Sequence, residues 1–66
     1  MRYKYTTAHT DKKTKQRMFQ DFSSFKKAKA EAVRLHKQGD REIFVDKFDE
    51  DEDLVKYWDF DMILSI

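Results

Sequence analysis

One helical segment with a clear beginning and end lies in the middle of this sequence and constrains the fold more than any other feature. Ser23 and Ser24 are suitable N-cap residues, and Gly39, the only glycine, stands where a left-handed residue ends a helix. The intervening stretch places five residues on one helical face: Phe25, Ala28, Ala32, Leu35 and His36. The sequence therefore predicts one helix of about 14 residues, or four turns.

Alternating segments precede the helix. Residues 2–10 and 15–22 alternate with a period of two and are rich in Tyr, Thr and Phe, which favours two strands. The polar stretch at residues 11–14 predicts a four-residue hairpin loop. In that register four cross-strand pairs are expected: Thr10 with Lys15, Thr7 with Met18, Lys4 with Asp21, and Tyr3 with Phe22.

Two more strands are predicted after the helix. Arg41–Phe48 has Ile43 and Val45 on one face, with Phe44 and Phe48 on the other. The acidic run at residues 49–53 predicts a solvated hairpin loop, because adjacent carboxylates repel one another and cannot be buried unpaired. Residues 54–66 predict one long strand, one side of which carries Leu54, Trp58, Phe60, Met62, Leu64 and Ile66.

The order of these elements predicts an α+β fold with a ββαββ layout. One helix would cover one face of a four-stranded antiparallel sheet, giving two layers, and residues 1–66 would form a single domain. Wholly antiparallel neighbours allow the strand orders 1-2-4-3 and 2-1-3-4. The length and apolarity of the last strand favour a central position for it, and hence the first order.

Several functional classes find no support in the sequence. The chain has no cysteine, which excludes disulfides, thiolate zinc sites and thiol nucleophiles and is compatible with a cytoplasmic location. We expect no transmembrane segment, because no apolar run approaches the roughly 20 residues that cross a bilayer. His9 and His36 are far apart in sequence without a third ligand, so each is expected to be an ordinary half-buried or surface imidazole.

Two arrangements of carboxylates invite a metal interpretation. Asp59 and Asp61 would share a strand face about 7 Å apart, a spacing that could hold a divalent cation, although a solvated face explains them better. An EF-hand loop beginning at Asp49 would need Gly at position 54 and Glu at position 60, where the chain has Leu54 and Phe60. We therefore predict no metal, no cofactor and no enzymatic activity.

The near-neutral total charge conceals an asymmetry. Residues 1–38 contain eleven Lys or Arg and three acids, whereas residues 39–66 contain three bases and ten acids. A basic cluster on the first hairpin and the helix start could follow a phosphate backbone. Its members are Lys12, Lys13, Lys15, Arg17, Lys26 and Lys27, with Lys29 beside them. Nucleic-acid binding through this cluster is the alternative function that the sequence leaves open.

The most informative feature for function is an excess of aromatic side chains. A single short helix can cover only one face of the sheet, yet large side chains point to both, so some rings must lie outside the core. We expect Phe19, Phe44 and Tyr57 to form a protein-binding surface, which could also be the interface of a homodimer. The acidic loop is expected to contribute to it, either as a phosphate mimic or as a solvated turn: Asp49, Glu50, Asp51, Glu52 and Asp53.

Two resemblances can be stated. The short charged hairpin, the Lys/Ala helix beginning Ser24-Phe25-Lys26-Lys27-Ala28 and the closing hairpin resemble the small accessory proteins of phages, of the anti-CRISPR or host-polymerase-inhibitor type. The stretch from Asp11-Lys12-Lys13 to the same helix start resembles the arm-DNA-binding domain of tyrosine integrases, which has three strands before its helix where two are predicted here. The first resemblance implies a non-enzymatic protein that docks on a larger host or phage protein and inhibits or modulates it.

Overall fold

The computed structural model describes residues 2–66, which form four strands and two helices. In chain order these are β1 (Lys4–Thr10), β2 (Arg17–Phe22), α1 (Phe25–Gln38), β3 (Arg41–Phe48), β4 (Leu54–Asp59) and α2 (Phe60–Leu64). The strands form one antiparallel sheet, and α1 packs on one of its faces. The predicted α+β fold with a ββαββ layout is confirmed, and α2 is an addition to it.

The strand order in the sheet is β2-β1-β3-β4, so the favoured order 1-2-4-3 is wrong and the other order is right. The burial of β1 agrees with its central position. Thr6, Thr7, Ala8 and His9 of β1 are all buried, whereas β2 is exposed over most of its length. Small side chains on both faces of β1 indicate the central strand of the sheet, whereas the apolarity of the last segment does not.

The first hairpin pairs two residues away from the predicted register. Tyr5 lies opposite Phe22 and Thr10 opposite Arg17, whereas Tyr3 was expected to meet Phe22 and Thr10 to meet Lys15. A shift of two residues preserves the faces, because side chains alternate with a period of two. For the same reason Lys4 Nζ still lies 4.0 Å from Asp21 Oδ2.

The cause of the shift is a loop longer than four residues. The Asp11 carboxylate accepts hydrogen bonds from the amides of Lys13 (2.8 Å) and Thr14 (2.9 Å). Lys15 then adopts a left-handed conformation with φ of 64°, and the Asp11 amide donates to the Gln16 carbonyl at 2.9 Å. The side chain of an aspartate thus organises a turn for which the chain provides no glycine.

Both predicted ends of α1 are confirmed. The Ser24 hydroxyl accepts a hydrogen bond from the Lys27 amide at 3.3 Å. Gly39 has φ of 96°, and its amide donates to the His36 carbonyl at 3.0 Å. Ala28, Ala32 and Leu35 are buried as expected, whereas the exposed ring of His36 stacks on Phe60 at a centroid distance of 4.1 Å.

The prediction of one strand over residues 54–66 is wrong, because β4 ends at Asp59. The Asp59 carboxylate accepts a hydrogen bond from the Met62 amide at 2.9 Å and so caps α2. This helix turns Ile63 into the core, where it is fully buried, while Leu64 and Ile66 are exposed. The strand interpretation assigned the opposite sides to these residues.

The core lies between α1, α2 and the sheet. Its buried members are Ala28, Ala32, Leu35, Ile43, Val45, Trp58 and Ile63, with Tyr5, Phe22, Phe25 and Phe60 packed around them. The fully buried Thr7 hydroxyl donates to the Ala28 carbonyl at 2.9 Å and joins β1 to α1. Neither helix in the described part of the chain has the length and apolarity needed to span a bilayer.

Candidate protein-binding surface

The face of the sheet opposite α1, called the outer face below, carries no helix in residues 2–66. Directly paired residues project their side chains to the same face, so the strand pairing defines its rows. One row contains Phe19, Ala8, Phe44 and Asp59, and the next contains Asp21, Thr6, Asp46 and Tyr57. Four strands thus present a flat surface of rings and carboxylates around the small residues of β1.

The structure places all three predicted rings on this outer face. Phe19 and Phe44 flank Ala8 in one row, and Tyr57 lies diagonally next to Phe44 in the other. Phe19 is 66% exposed and Tyr57 is 55% exposed, whereas Phe44 is half-buried. Ala8 is buried although it faces away from α1, because its neighbours on both sides cover it.

Two of the rings on the outer face, Phe44 and Phe48, are each covered by a cation. The Arg17 guanidinium lies 5.7 Å from the Phe44 ring centroid, and Lys4 Nζ lies 5.4 Å from that of Phe48. Such cation–π contacts reduce the water exposure of Phe44 and Phe48. Within residues 2–66 no cation lies over Phe19 or Tyr57, so these two rings form the exposed apolar part of the surface.

Asp46 occupies the middle of the outer face. Phe44 and Phe48 flank it along β3, and Thr6 and Tyr57 flank it across the sheet. Burial raises its pKa above the ordinary value, and the charge of Arg17 offsets part of that effect. The sequence analysis missed Asp46, because an acid between two alternating phenylalanines has the pattern of a solvated strand residue.

The predicted acidic loop connects β3 to β4 at one end of the sheet. Its Asp49 carboxylate accepts hydrogen bonds from the amides of Asp51 (2.9 Å) and Asp53 (3.0 Å), and Glu52 has a left-handed φ of 63°. Glu50 accepts a hydrogen bond from the Arg2 amide at 3.0 Å. Because Asp49 directly follows Phe48, the loop borders the outer face at its Phe48 end, about 16 Å of strand away from Phe44.

Carboxylate oxygens of Asp49, Asp51 and Asp53 lie within 4.8 Å of one another. Asp49 already uses one oxygen to hold the turn, and Asp51 and Asp53 are exposed. The cluster therefore has the properties of a solvated turn.

The predicted basic cluster is divided between two ends of the molecule. Lys12 lies against Gly39, at the C-terminal end of α1, with its Cδ 3.0 Å from the position that a Cβ of residue 39 would occupy. Lys26 and Lys27 lie in the first turn of the same helix, which is about 20 Å long. The division follows from the hairpin, because β2 carries the chain from the basic loop to the other end of the sheet before α1 begins.

Asp59 and Asp61 do not form the predicted pair on one strand face, so that expectation is wrong. Asp59 caps α2 through its carboxylate, and Asp61 lies in the first turn of that helix. The distance estimated from strand rise does not apply, because the strand ends at Asp59.

A buried pair that the sequence analysis missed joins β1 to the end of α1. His9 Nδ1 lies 2.9 Å from Asp40 Oδ2, although the contact lacks hydrogen-bond geometry and Nδ1 has no other partner. Asp40 Oδ1 also accepts a hydrogen bond from the Lys12 amide at 3.0 Å. The two residues are 31 positions apart, so no local pattern announces the contact. The pair fixes the loop after β1 against the chain that leaves Gly39.

In comparisons with protein-family models, curated proteins and solved structures, the chain has no match. Its function therefore has to be argued from the geometry of its own residues.

Proposed function

We propose that this chain is a small, non-enzymatic protein-binding module that docks through its outer face on a larger protein of a host cell or a phage and inhibits or modulates it. The observation that carries the proposal is the exposure of Phe19 and Tyr57 on one uncovered sheet face. The absence of cysteine fits action in the cytoplasm, where a protein needs no disulfides.

The composition of this face supports a protein as the partner. Aromatic side chains contribute most strongly to protein interfaces where they become fully desolvated, and two rings on a rigid sheet lose little conformational freedom on binding. Ala8 and Thr6 are buried between their neighbours, so the rings beside them form the surface that a partner can contact.

Charge on the same face argues against a phosphate backbone as its ligand. Asp21, Asp46 and Asp59 all lie in the two central rows. These three carboxylates would repel phosphates, and they outnumber Lys4 and Arg17, the two cations that lie over rings of this face. The predicted basic cluster would have to bind nucleic acid from two ends of the molecule at once. Its division therefore removes the main support for the alternative function.

The test compares two pairs of substitutions at exposed apolar positions. F19S/Y57S changes the outer face, and M62S/L64S changes α2, where Met62 and Leu64 are 40% and 58% exposed. Each tagged variant is used to capture proteins from nuclease-treated host extract, with quantification by mass spectrometry and with folding checked by circular dichroism. We expect F19S/Y57S to lose the specifically captured protein and M62S/L64S to retain it.

Two outcomes would contradict the proposal. One is capture that F19S/Y57S leaves unchanged, and the other is capture that nuclease abolishes for the unmodified protein. A homodimer through the outer face is tested separately by light scattering after gel filtration. We expect a monomer, and a dimer that F19S/Y57S dissociates would assign the face to self-association instead.

A further inference from the structure

Asp46 differs from every other acidic residue in the described part of the chain. Several carboxylates of residues 2–66 accept hydrogen bonds: Asp11, Asp21, Glu31, Asp40, Glu42, Asp49, Glu50 and Asp59. Glu52 forms an ion pair with Lys4, and Asp51, Asp53 and Asp61 are exposed to water. Asp46 alone is half-buried and has neither a hydrogen bond nor an ion pair within this range.

The two cations that lie over rings of the outer face, Arg17 and Lys4, are already engaged. The Arg17 guanidinium donates hydrogen bonds to the Thr10 hydroxyl and the Glu42 carbonyl. Lys4 Nζ lies 4.0 Å from an Asp21 oxygen and 3.9 Å from a Glu52 oxygen. The described residues partly desolvate the Asp46 carboxylate and compensate its charge only in part, through the charge of Arg17 and without a hydrogen bond or an ion pair, and burial raises its pKa accordingly.

The surroundings of Asp46 define the chemistry of a ligand that would compensate it. Three rings, Phe44, Phe48 and Tyr57, border the carboxylate along and across the sheet, and of these Tyr57 is the one without a cation over it in residues 2–66. A flat cation that donates two parallel hydrogen bonds to a carboxylate can at the same time stack on such rings. The guanidinium of arginine has this shape, whereas the ammonium of lysine is a compact and strongly hydrated point charge.

We propose that Asp46 and its bordering rings form the receptor for an arginine side chain of the partner protein. This inference rests on the proposed function, because it assigns the occupant of the same outer face. The exposed rings of Phe19 and Tyr57 then contact apolar residues beside that arginine, and the complementary charge fixes the orientation of the partner.

The first test uses short peptides as probes. Three capped tripeptides with leucine at both ends and arginine, citrulline or lysine in the centre are titrated into ¹⁵N-labelled protein, with amide shifts followed by NMR. We expect millimolar binding of the arginine peptide, with the largest shifts at Thr6, Asp46 and Tyr57. Citrulline has almost the same shape without the charge, so its affinity should be lower by at least about fivefold, the range for a charged hydrogen bond that water partly screens.

Two variants localise the effect. D46N should lower the affinity for the arginine peptide to that for the citrulline peptide, whereas D61N removes an equal charge from α2 and should leave it unchanged. Equal affinities for arginine and citrulline, or shifts that persist in D46N, would overturn the inference. Lysine binding as tight as arginine would overturn the assignment to a guanidinium.

The capture assay separates this inference from the proposed function. Loss of the captured protein in both F19S/Y57S and D46N supports the arginine receptor. Loss in F19S/Y57S with full retention in D46N overturns the receptor and leaves the outer face as the docking surface. Retention in both variants overturns the proposed function and the inference that depends on it.

Discussion

Asp46 is the residue at which folding and binding make opposite demands on this chain. Its partial burial raises the pKa of the carboxyl, so the folded protein binds a proton more readily there than the unfolded chain does. Between the unfolded-state pKa and the raised folded-state pKa, stability therefore falls as the pH rises. Such a cost is understandable at a binding position, because a partner can remove it.

We expect D46N to be slightly more stable than the unmodified protein at pH 7, by about 0.5 kcal/mol or less because water screens a partly exposed group. The difference should disappear near pH 3, where the Asp46 carboxyl is largely protonated in both the folded and the unfolded chain. Urea denaturation at a series of pH values measures it, with D61N as the control of equal charge. A D46N protein that is less stable than the unmodified protein at pH 7 would contradict the unpartnered state of Asp46.

Gly39 is constrained by its backbone conformation. Its φ of 96° lies in a region that residues with a Cβ rarely adopt, and the added Cβ would meet Lys12 Cδ at 3.0 Å. The end of a flexible lysine can move aside, so most of the cost comes from backbone strain. We expect G39A to reduce the free energy of unfolding by about 1–2 kcal/mol.

Chemical denaturation of G39A, K12A and the double variant measures this cost and its origin. The effect of G39A should be nearly the same with and without K12A, since the backbone provides the strain. If G39A does not reduce the stability of the K12A variant, the cost of G39A comes instead from contact with the lysine side chain.

At the scale of elements, local signals were sufficient for α1 and insufficient for the last segment. Ser24 and Gly39 define α1 by hydrogen bonds within a few residues of each end. Residues 60–64, in contrast, fit a strand by alternation and a helix by the spacing of Phe60, Ile63 and Leu64. Two features favour the helix over the strand. The Asp59 carboxylate caps α2, and the helix buries Ile63 fully in the core.

The left-handed residues of the two hairpin loops escaped prediction for a related reason. The positive φ angles of Lys15 and Glu52 cannot be predicted from their residue types, because Gly and Asn are the residues that usually adopt this conformation. Asp11 and Asp49 supply the missing signal, since each carboxylate accepts two backbone amides of its own loop. An aspartate directly after a predicted strand thus indicates a loop that can contain a left-handed residue other than Gly or Asn.

Substitutions in α2 distinguish the helix from the rejected strand. Ile63 is fully buried and Leu64 is 58% exposed, whereas a strand would have placed Leu64 beside Trp58 in the core. We expect I63A to lower the free energy of unfolding by about 2–4 kcal/mol, as for other buried large-to-small substitutions. L64A should change it by less than about 0.5 kcal/mol. Thermal and urea denaturation of both variants measure the contrast, and a larger loss in L64A would favour the strand.

At the scale of the whole molecule, the two oppositely charged parts of the sequence meet in the centre of the sheet. β1 belongs to the basic part and pairs with β3 of the acidic part, and Lys4 Nζ lies 3.9 Å from a Glu52 oxygen across that boundary. Exposed pairs of this kind contribute little individually. The charge division does not by itself select the strand order, because β2 also belongs to the basic part and β4 to the acidic part, so that the order 1-2-4-3 would join the two parts as well.

The candidate site was predictable only in part at this scale. Alternation alone assigned Phe19, Phe44 and Tyr57 to faces of their strands, and any register that keeps the period of two brings them to one side. The isolation of Asp46 was not predictable, because it depends on Arg17 and Lys4 binding other groups across the sheet. A sequence shows which residues share a face, but it does not show which cations on that face are free to pair with a given carboxylate.

Hydrogen exchange provides a test of the strand order across the whole molecule. In the order β2-β1-β3-β4, both edges of β1 and β3 are paired, whereas β2 and β4 each expose one edge to water. Edge strands open locally without unfolding the sheet, so we expect amides of β1 and β3 to exchange at least about tenfold more slowly than those of β2 and β4. Exchange followed by NMR at neutral pH, with the buried face of α1 as an internal reference, measures this pattern. In the rejected order 1-2-4-3, β2 and β4 would be central, so the slowest exchange would move to these two strands.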